Sequence, residues 1–211
     1  MDTRKFWNKK HKDYLEKNWI DKPTIFAQFA KRFFPKKKKL LELGAGQGQD
    51  SRYFAKLGYQ VIATDFSRTA LSLLEIKAKK EKLDVKKIEI DLEQKLPFKD
   101  NSFDIVYSHL ALHYFNKKTT RRLFGEIARV LKKGGIFATL TNTVDDPERL
   151  EFKRIEKDYY EERGKILKRY FSPQSLKELV NKDFETYVLD AKGETYKDEI
   201  KTLIRFVGKK R

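Results

Sequence analysis

The sequence has no cysteine, so disulfides, thiolate metal sites and a cysteine nucleophile are excluded. It has one methionine and five prolines in 211 residues, and no Pro/Gly/Ser-rich stretch marks a linker. No apolar run approaches the roughly 18 residues needed to span a bilayer. The opening MDTRKFWNKKHKDY lacks the apolar core of a signal peptide, so the expected compartment is the cytoplasm, with no membrane partner. Internal repeats and low-complexity segments are missing as well. Acids are scarce relative to bases: 31 Asp and Glu stand against 48 Lys and Arg, a formal net charge of +17. Such an excess attracts polyanions, RNA first among them. Yet there is no Arg/Gly-rich arm and no RNA-binding module, and most lysines sit between apolar positions, as on solvated helix faces. The charge alone decides little.

Hydrophobic residues make up 39% and aromatics 13%, enough for one packed core, so a single domain over residues 1–211 is expected. Residues 3–19 place Phe6, Trp7, His11, Tyr14, Leu15 and Trp19 at spacings near three and four, the pattern of an amphipathic helix. A second helix is expected from Pro23, preceded by Asp21, with Ile25, Phe26, Phe29 and Phe33 on one side. Beyond Pro35 and the four lysines 36–39, strands and helices alternate. The expected strands are Lys39–Leu43, Gln60–Thr64, Ile88–Asp91, Phe103–Ser108 and Ile136–Leu140. The expected helices are Asp50–Lys56, Thr69–Lys82 with Leu71, Leu74, Ile76 and Ala78 facing in, and Thr119–Leu131, stopped by the pair Gly134–Gly135. This alternation predicts a Rossmann-like α/β fold, a mostly parallel sheet with helices on both faces.

The final third differs. Asp145–Lys168 is strongly charged, with Leu150, Phe152, Ile155, Tyr159 and Tyr160 as a thin apolar stripe, and is the natural place for a lid or substrate-contacting insertion. SPQSLKELV opens with a serine cap and a first-turn proline and predicts a helix. FETYVLDAK and EIKTLIRFVGKK read as two strands joined through a Gly-containing turn, an antiparallel pair at the sheet edge.

The informative stretch is LLELGAGQGQDSRYFAKLGYQVIATDFS, Leu40 to Ser67. In an open α/β sheet, ligands bind at the carboxyl ends of the strands, so the loop leaving the first strand is the place to look. A dinucleotide fingerprint needs G-x-G-x-x-G around a pyrophosphate. Gly44 and Gly46 supply the first two glycines, but Gln49 stands at the third position, and the third glycine is Gly48. The spacing fails for a diphosphate.

That register, E-L-G-A-G-Q-G from Glu42, resembles the first motif of class I S-adenosylmethionine-dependent methyltransferases. The resemblance covers Lys38 to Asn142 and, more loosely, the C-terminus. It implies a seven-stranded sheet with an antiparallel C-terminal edge strand. It also implies S-adenosylmethionine as cofactor and S-adenosylhomocysteine as product, held by Glu42, Gly44, Ala45, Gly46 and Gly48. Asp65, ending VIATDFS, falls where the family's acid accepts from both ribose hydroxyls, in charge-assisted hydrogen bonds. Phe66 would cover one adenine face and Leu92 the other, with Asp91 accepting from the exocyclic amine. FDIVYSHLALHYF resembles the fourth strand, whose end at Ser108 lies by the methyl group. EIARVLKKGGIFATLTN resembles the next helix, Gly-Gly turn and strand. Other readings stay open: Glu42 as a cap on loop donors, Asp65 and Asp91 as strand-end turn residues. On the family pattern residues 1–36 are cap helices, 37–142 the cofactor-binding core, 143–175 a lid-like insertion and 176–211 a helix and strand pair.

Methyl transfer needs in-line approach of a nucleophile, and some acceptors also need a base. His109 and His113 are the candidates at the active-site edge, with a structural role the alternative for His113; no third ligand makes them a metal site. His11 either packs among aromatics or helps to close the site. The Asp/Asn-Pro-Pro-aromatic stretch of amino-methylating nucleic-acid enzymes is replaced here by Ser108-His109-Leu110-Ala111, and the Lys-Asp-Lys-Glu set of ribose methylases has no counterpart. A small-molecule acceptor is therefore the favoured expectation, in a pocket walled by Trp7, Tyr14, Trp19, Tyr159 and Tyr160, although each of these can equally be ordinary packing. The opening and the glycine loop bear a looser likeness to methyltransferases of the tellurite-resistance and thiopurine type. RNA or a protein side chain is the second acceptor reading, drawing on the charge. A nucleotide-binding oxidoreductase or a silent binding module is the third. The sequence leaves oligomeric state open.

Overall fold

In a computed structural model of the chain, residues 3–162, 165–196 and 203–211 are described. A seven-stranded sheet forms the centre, in the order β3-β2-β1-β4-β5-β10-β9. β1 (Lys39–Leu43), β2 (Gln60–Asp65), β3 (Val85–Glu89), β4 (Phe103–His109) and β5 (Leu131–Asn142) are mutually parallel. β10 (Leu203–Lys210) pairs antiparallel with β5 and with β9 (Phe184–Gly193). The reversed strand is thus one place in from the edge, and the edge strand β9 runs with the parallel set, a refinement of the expected antiparallel edge. Residues 199–202 of the expected last strand lie outside the described residues.

The strands are apolar runs because both faces are covered. Successive side chains point to opposite sides: Leu41, Val106 and Phe137 pack with Leu123, Phe124 and Ile127 of α5 (Lys117–Val130), while Leu40, Ile105 and Ile136 pack with Phe26 and Ala30 of α2 (Ile25–Ala30) and Phe54 of α3 (Gln49–Lys56). α4 (Arg68–Lys80) buries Leu71, Leu74 and Ala78. Ile76 does not face in; it is 64% exposed, because it lies about 200° around the helix from both Leu74 and Ala78.

Several boundaries differ from the sequence reading for local reasons. The first helix, α1, spans Thr3–Asp13 and is followed by a 3₁₀ turn over Tyr14–Glu16, so it stops short of Trp19. α2 is capped by Thr24, whose side chain accepts from the Ala27 N–H, and Asp21 instead pairs with Arg52 and Lys77. β3 ends at Glu89, two residues before Asp91. α5 ends at Val130, and Gly134–Gly135 lie inside β5, where pairing jumps from Phe103↔Leu131 to Ile105↔Ile136. The glycine pair therefore makes a bulge. A Cβ at Gly135 would sit 2.9 Å from the Lys132 carbonyl and 3.0 Å from that of Asp104.

The charged insertion is a 3₁₀ turn (Pro147–Glu151) and a three-stranded antiparallel sheet of β6 (Lys153–Glu156), β7 (Tyr159–Glu161) and β8 (Leu167–Arg169). Its expected stripe is broken: Tyr159 and Tyr160 are buried, whereas Leu150 and Ile155 are exposed. α6 (Pro173–Val180) follows with the expected serine cap, Ser172, which forms a capping box with Ser175.

Candidate active site

A cavity of about 760 Å³ opens at the carboxyl ends of β1, β2 and β4, within the usual volume of small-molecule sites. It lies where the strand order reverses between β1 and β4, the topological switch point. The loop Gly44–Gly48 forms one wall. Gly44, Gly46 and Gly48 all have left-handed φ, at 71°, 55° and 72°, which L side chains adopt only at a cost. The three do different things. A Cβ at Gly44 would overlap the Cβ of Ala111, and one at Gly48 would lie 2.5 Å from Leu74 Cδ1. At Gly46 it would face the His11 imidazole, 3.0 Å from Cε1. So Gly44 admits the loop after β4, Gly48 admits α4, and Gly46 borders the cavity.

Three buried carboxylates stand at this end of the cavity. Asp65 closes β2 and accepts from the N–H groups of Ser67 at 2.8 Å and Gly46 at 2.9 Å. Burial pushes its carboxyl up, against the pull of those N–H groups and of His11. Glu42 is raised well above the ordinary carboxylate range, first by burial and then by the Asp50 charge, with partial relief from the Ser51 hydroxyl that it accepts. Asp50 is also raised by burial, though the Thr24 N–H, the Thr24 hydroxyl and the Tyr107 hydroxyl donate to it at 2.7, 2.8 and 2.7 Å.

α1 lies across the glycine loop as a cover. Gln47 donates to the His11 carbonyl at 2.6 Å, Ser67 donates to Asn8 at 2.6 Å, and Arg4 pairs with Glu89. His11 is held low in pKa because burial outweighs the attraction of Asp65, and its Nδ1 has no hydrogen-bond partner among the described residues. The cover continues as a chain of edge-to-face and tilted rings: Trp19–Tyr14 at 5.2 Å, Tyr14–His11 at 6.0 Å, His11–Trp7 at 6.1 Å and Trp7–Tyr114 at 5.2 Å. Tyr114 stands 4.3 Å from the His113 ring. Burial, then Lys168 and His109, push His113 far below the ordinary imidazole value, so it is neutral at pH 7.

The β6–β8 sheet is fastened to the loop that carries His113. Arg169 is the joint: its backbone N–H donates to the His113 carbonyl at 2.6 Å and its Nε to the Phe115 carbonyl at 3.0 Å, while its guanidinium pairs with Glu156. Glu156 in turn accepts from the Lys117 N–H at 2.8 Å, and the Tyr159 hydroxyl donates to the Tyr114 carbonyl at 3.3 Å.

Of the residues expected to meet the cofactor, Glu42, Gly44, Ala45, Gly46, Asp65, Phe66, Asp91 and Leu92 line the cavity, and Gly48 and Ser108 do not. The Ser108 hydroxyl donates to the Leu43 carbonyl at 2.9 Å, tying β4 to β1. His109, His113, Trp7, Tyr14, Trp19 and Tyr159 line it too, but Tyr160 stands outside, its hydroxyl accepting from Arg149 at 3.0 Å. Sequence reasoning missed Asp50, Gln47 and Arg169. Asp50 was legible only as a first-turn helix acid, and Arg169 only as one basic residue among many. Among the described residues no group of three or more His, Cys, Asp or Glu is placed to hold a metal ion.

Residues 41–139 match the family described as "Methyltransferase domain". The match covers just under half of the chain and makes this segment similar to a methyltransferase domain. The methyltransferase match spans β1 to β5; α1, α2, the β6–β8 insertion and the last hairpin lie outside it. The chain is 34% identical over 101 residues to an uncharacterized methyltransferase, sll0829, of Synechocystis, covering 48% of this chain and 45% of that one. It is 32% identical over 155 residues to the sterol 24-C-methyltransferase ERG6B of Gibberella zeae, covering 71% and 37%. The chain thus spans less than half the length of these curated relatives. The fold matches that of the 1,6-didemethyltoxoflavin-N1-methyltransferase of Burkholderia thailandensis, solved with 1,6-didemethyltoxoflavin and S-adenosylhomocysteine, at a TM-score of 0.79 and 18% identity over 99% of this chain and 87% of that one. The donor set suits an adenosyl sulfonium ligand: Glu42, Asp65 and Asp91 without an ion-pair partner among the described residues, a Cβ-free edge at Gly46 and apolar Phe66 and Leu92 among the lining residues.

Proposed function

We propose that the protein binds S-adenosylmethionine along the Gly44–Gly48 loop and transfers its methyl group to a small-molecule acceptor. S-Adenosylmethionine, when bound, supplies an electrophilic methyl group on a sulfonium. Asp65 would accept from the ribose hydroxyls, Phe66 and Leu92 would flank the adenine with Asp91 beside it, and Glu42, protonated in the free protein, would give up its proton and accept from the cationic amino-acid end as that end arrives. His109 and His113 would face the acceptor. The neutral His113 is suited to accept a hydrogen bond, and its low pKa makes it a weak base, so positioning rather than proton removal is the main contribution expected of this edge.

The observation that carries this reading is the closure of the cavity: α1 roofs the glycine loop and the β6–β8 sheet closes the His113 side, leaving room for a compact acceptor between aromatic walls. An RNA or protein acceptor has less support for the same reason, and Gln49 in place of a third spaced glycine disfavours an oxidoreductase. A screen of small acceptors and of total RNA for S-adenosylhomocysteine release tests it. Turnover with a small acceptor alone is expected; turnover only with RNA or protein would overturn the acceptor assignment.

A further inference from the structure

The +17 charge is placed unevenly. At the carboxyl edge of the sheet, six carboxylates line the cavity against four Lys and Arg. The opposite edge is the reverse. Four segments end there: residues 36–39 leading into β1, 79–82 closing α4, 132–133 in the β5 bulge and 209–211 at the end of β10. Together they hold twelve Lys and Arg and a single acid, Glu81.

Side-chain contacts join these segments into one surface. Lys56, at the end of α3, pairs with Glu81 at 3.0 Å, and a Cβ on the neighbouring Gly58 would lie 3.6 Å from Lys37 Cγ. Asp104 accepts from the Lys39 N–H at 3.1 Å and from Lys132 Nζ at 2.9 Å. Lys210 donates to the Leu131 carbonyl at 2.6 Å, and a Cβ on Gly134 would lie 3.7 Å from Lys209 Cε. Lys36, Lys37, Lys38, Lys82, Lys133 and Lys209 are exposed and form no ion pair among the described residues. A helix macrodipole accounts for cations at the end of α4 but not for those ahead of β1, inside the β5 bulge or at the end of β10. Asp104 and Glu75 take up Lys132 and Lys79, but the six exposed lysines remain in excess, and like charges at this density repel.

We propose that this amino-edge surface binds the phosphate backbone of a nucleic acid, apart from the catalytic cavity. The reading goes beyond the proposed methyl transfer and does not depend on it. The four segments run from beside β3 to β10, five strand spacings or roughly 24 Å. Over that span a sheet twists by about 100° or more, which makes a curved track rather than a plane. Such a track follows a helical polyanion and not a flat bilayer. The four segments themselves carry no large hydrophobic residue, and Leu57, 40% exposed between Lys56 and Gly58, is a single side chain, too little apolar surface to hold a membrane and no ring on which a base could stack. Phosphate contacts alone remain, and binding is therefore independent of sequence and strongly salt-dependent. Because the track lies across the sheet from the cavity, a bound nucleic acid is a tether and not the methyl acceptor.

Fluorescence anisotropy with a fluorescein-labelled 20-base-pair RNA duplex and a DNA duplex of the same length tests this. Either duplex should bind the wild type at 50 mM salt and release steeply as salt rises. The variant K37E/K38E/K133E/K209E should bind at least tenfold more weakly, with a salt slope reduced by roughly three to four. K117E/K118E/K153E/K157E, which changes the same charge at exposed positions towards the cavity side, should stay within threefold of wild type. Affinity for S-adenosylhomocysteine should be unchanged by bound duplex and by either variant. If the glutamate variant fails to fold, the corresponding glutamine variant serves, with the same direction of effect. Equal weakening by both variants, no weakening by the first, or binding to vesicles of phosphatidylcholine with 30% phosphatidylserine without binding to either duplex would overturn the proposal.

Discussion

The two halves of the cavity are built by different means. The inner half is the turn from Leu43 to Gly48, closed by Asp65 at the end of β2, and its shape is set by backbone dihedrals and by neighbours that leave no room for a Cβ. The outer half is assembled from α1, the loop after β4 and the β6–β8 sheet, three segments remote in sequence and joined by side chains such as Gln47 and Arg169. The family match takes in the inner half and, of the outer half, only the loop after β4. The contrast teaches that the shape of the glycine loop is a property of the backbone, whereas the cover over it rests on replaceable side-chain joints. Substitutions in the inner half should therefore act almost all or none, and those in the outer half by degrees.

The sharpest test is Gly44→Ala. It combines a left-handed φ with overlap on Ala111, and should cost about 2–5 kcal/mol of stability by chemical denaturation. The double variant with Ala111→Gly should regain the overlap part but not the dihedral part; full recovery, or none, would break the explanation. Gly46→Val should abolish S-adenosylmethionine binding measured by calorimetry, since a branched side chain would enter the space between loop and His11. Asp65→Ala should weaken cofactor binding by about 1.5–3 kcal/mol, since it removes charged hydrogen bonds.

Glu42→Gln sharpens the comparison through pH. The Glu42 carboxyl is raised by burial, so the folded protein holds a proton that the unfolded chain has lost. Stability contributed by that proton is present at low pH and falls as pH rises from the unfolded value through the raised one. The glutamine variant should therefore lose part of this decline and melt a few degrees higher than wild type at pH 8, while binding S-adenosylmethionine less well. A variant that melts identically at pH 5 and pH 8 relative to wild type would contradict the assignment.

The smallest effect is expected at the outer joint. Gln47→Ala removes one buried hydrogen bond to α1 and should cost about 0.5–1.5 kcal/mol. Hydrogen exchange should rise in α1 amides and not in the central strands.

The same division explains what could be read from the chain. The β–α alternation is written in short apolar runs buried on both faces, and the glycine loop with its closing acid is a contiguous pattern. The roles of Gly44 and Gly48 are not visible there, because Ala111 and Leu74 are distant in sequence. The β6–β8 strands are only three or four residues long and charged, too short for a period, so the insertion reads as a stripe in which Leu150 and Ile155 are misplaced. The Gly134–Gly135 pair looks like a helix stop because a bulge and a cap use the same residue for the same conformational freedom. Asp50 satisfies Thr24 and Tyr107 from two other elements, a relation that only the packed fold creates.

The central claim, that the inner half holds an adenosyl sulfonium ligand and not a dinucleotide, is tested most directly by calorimetric titration of the purified protein with S-adenosylmethionine and, separately, with NAD. One S-adenosylmethionine per chain, with no heat of binding from NAD, is the predicted result. Binding of NAD in the absence of S-adenosylmethionine binding would contradict it.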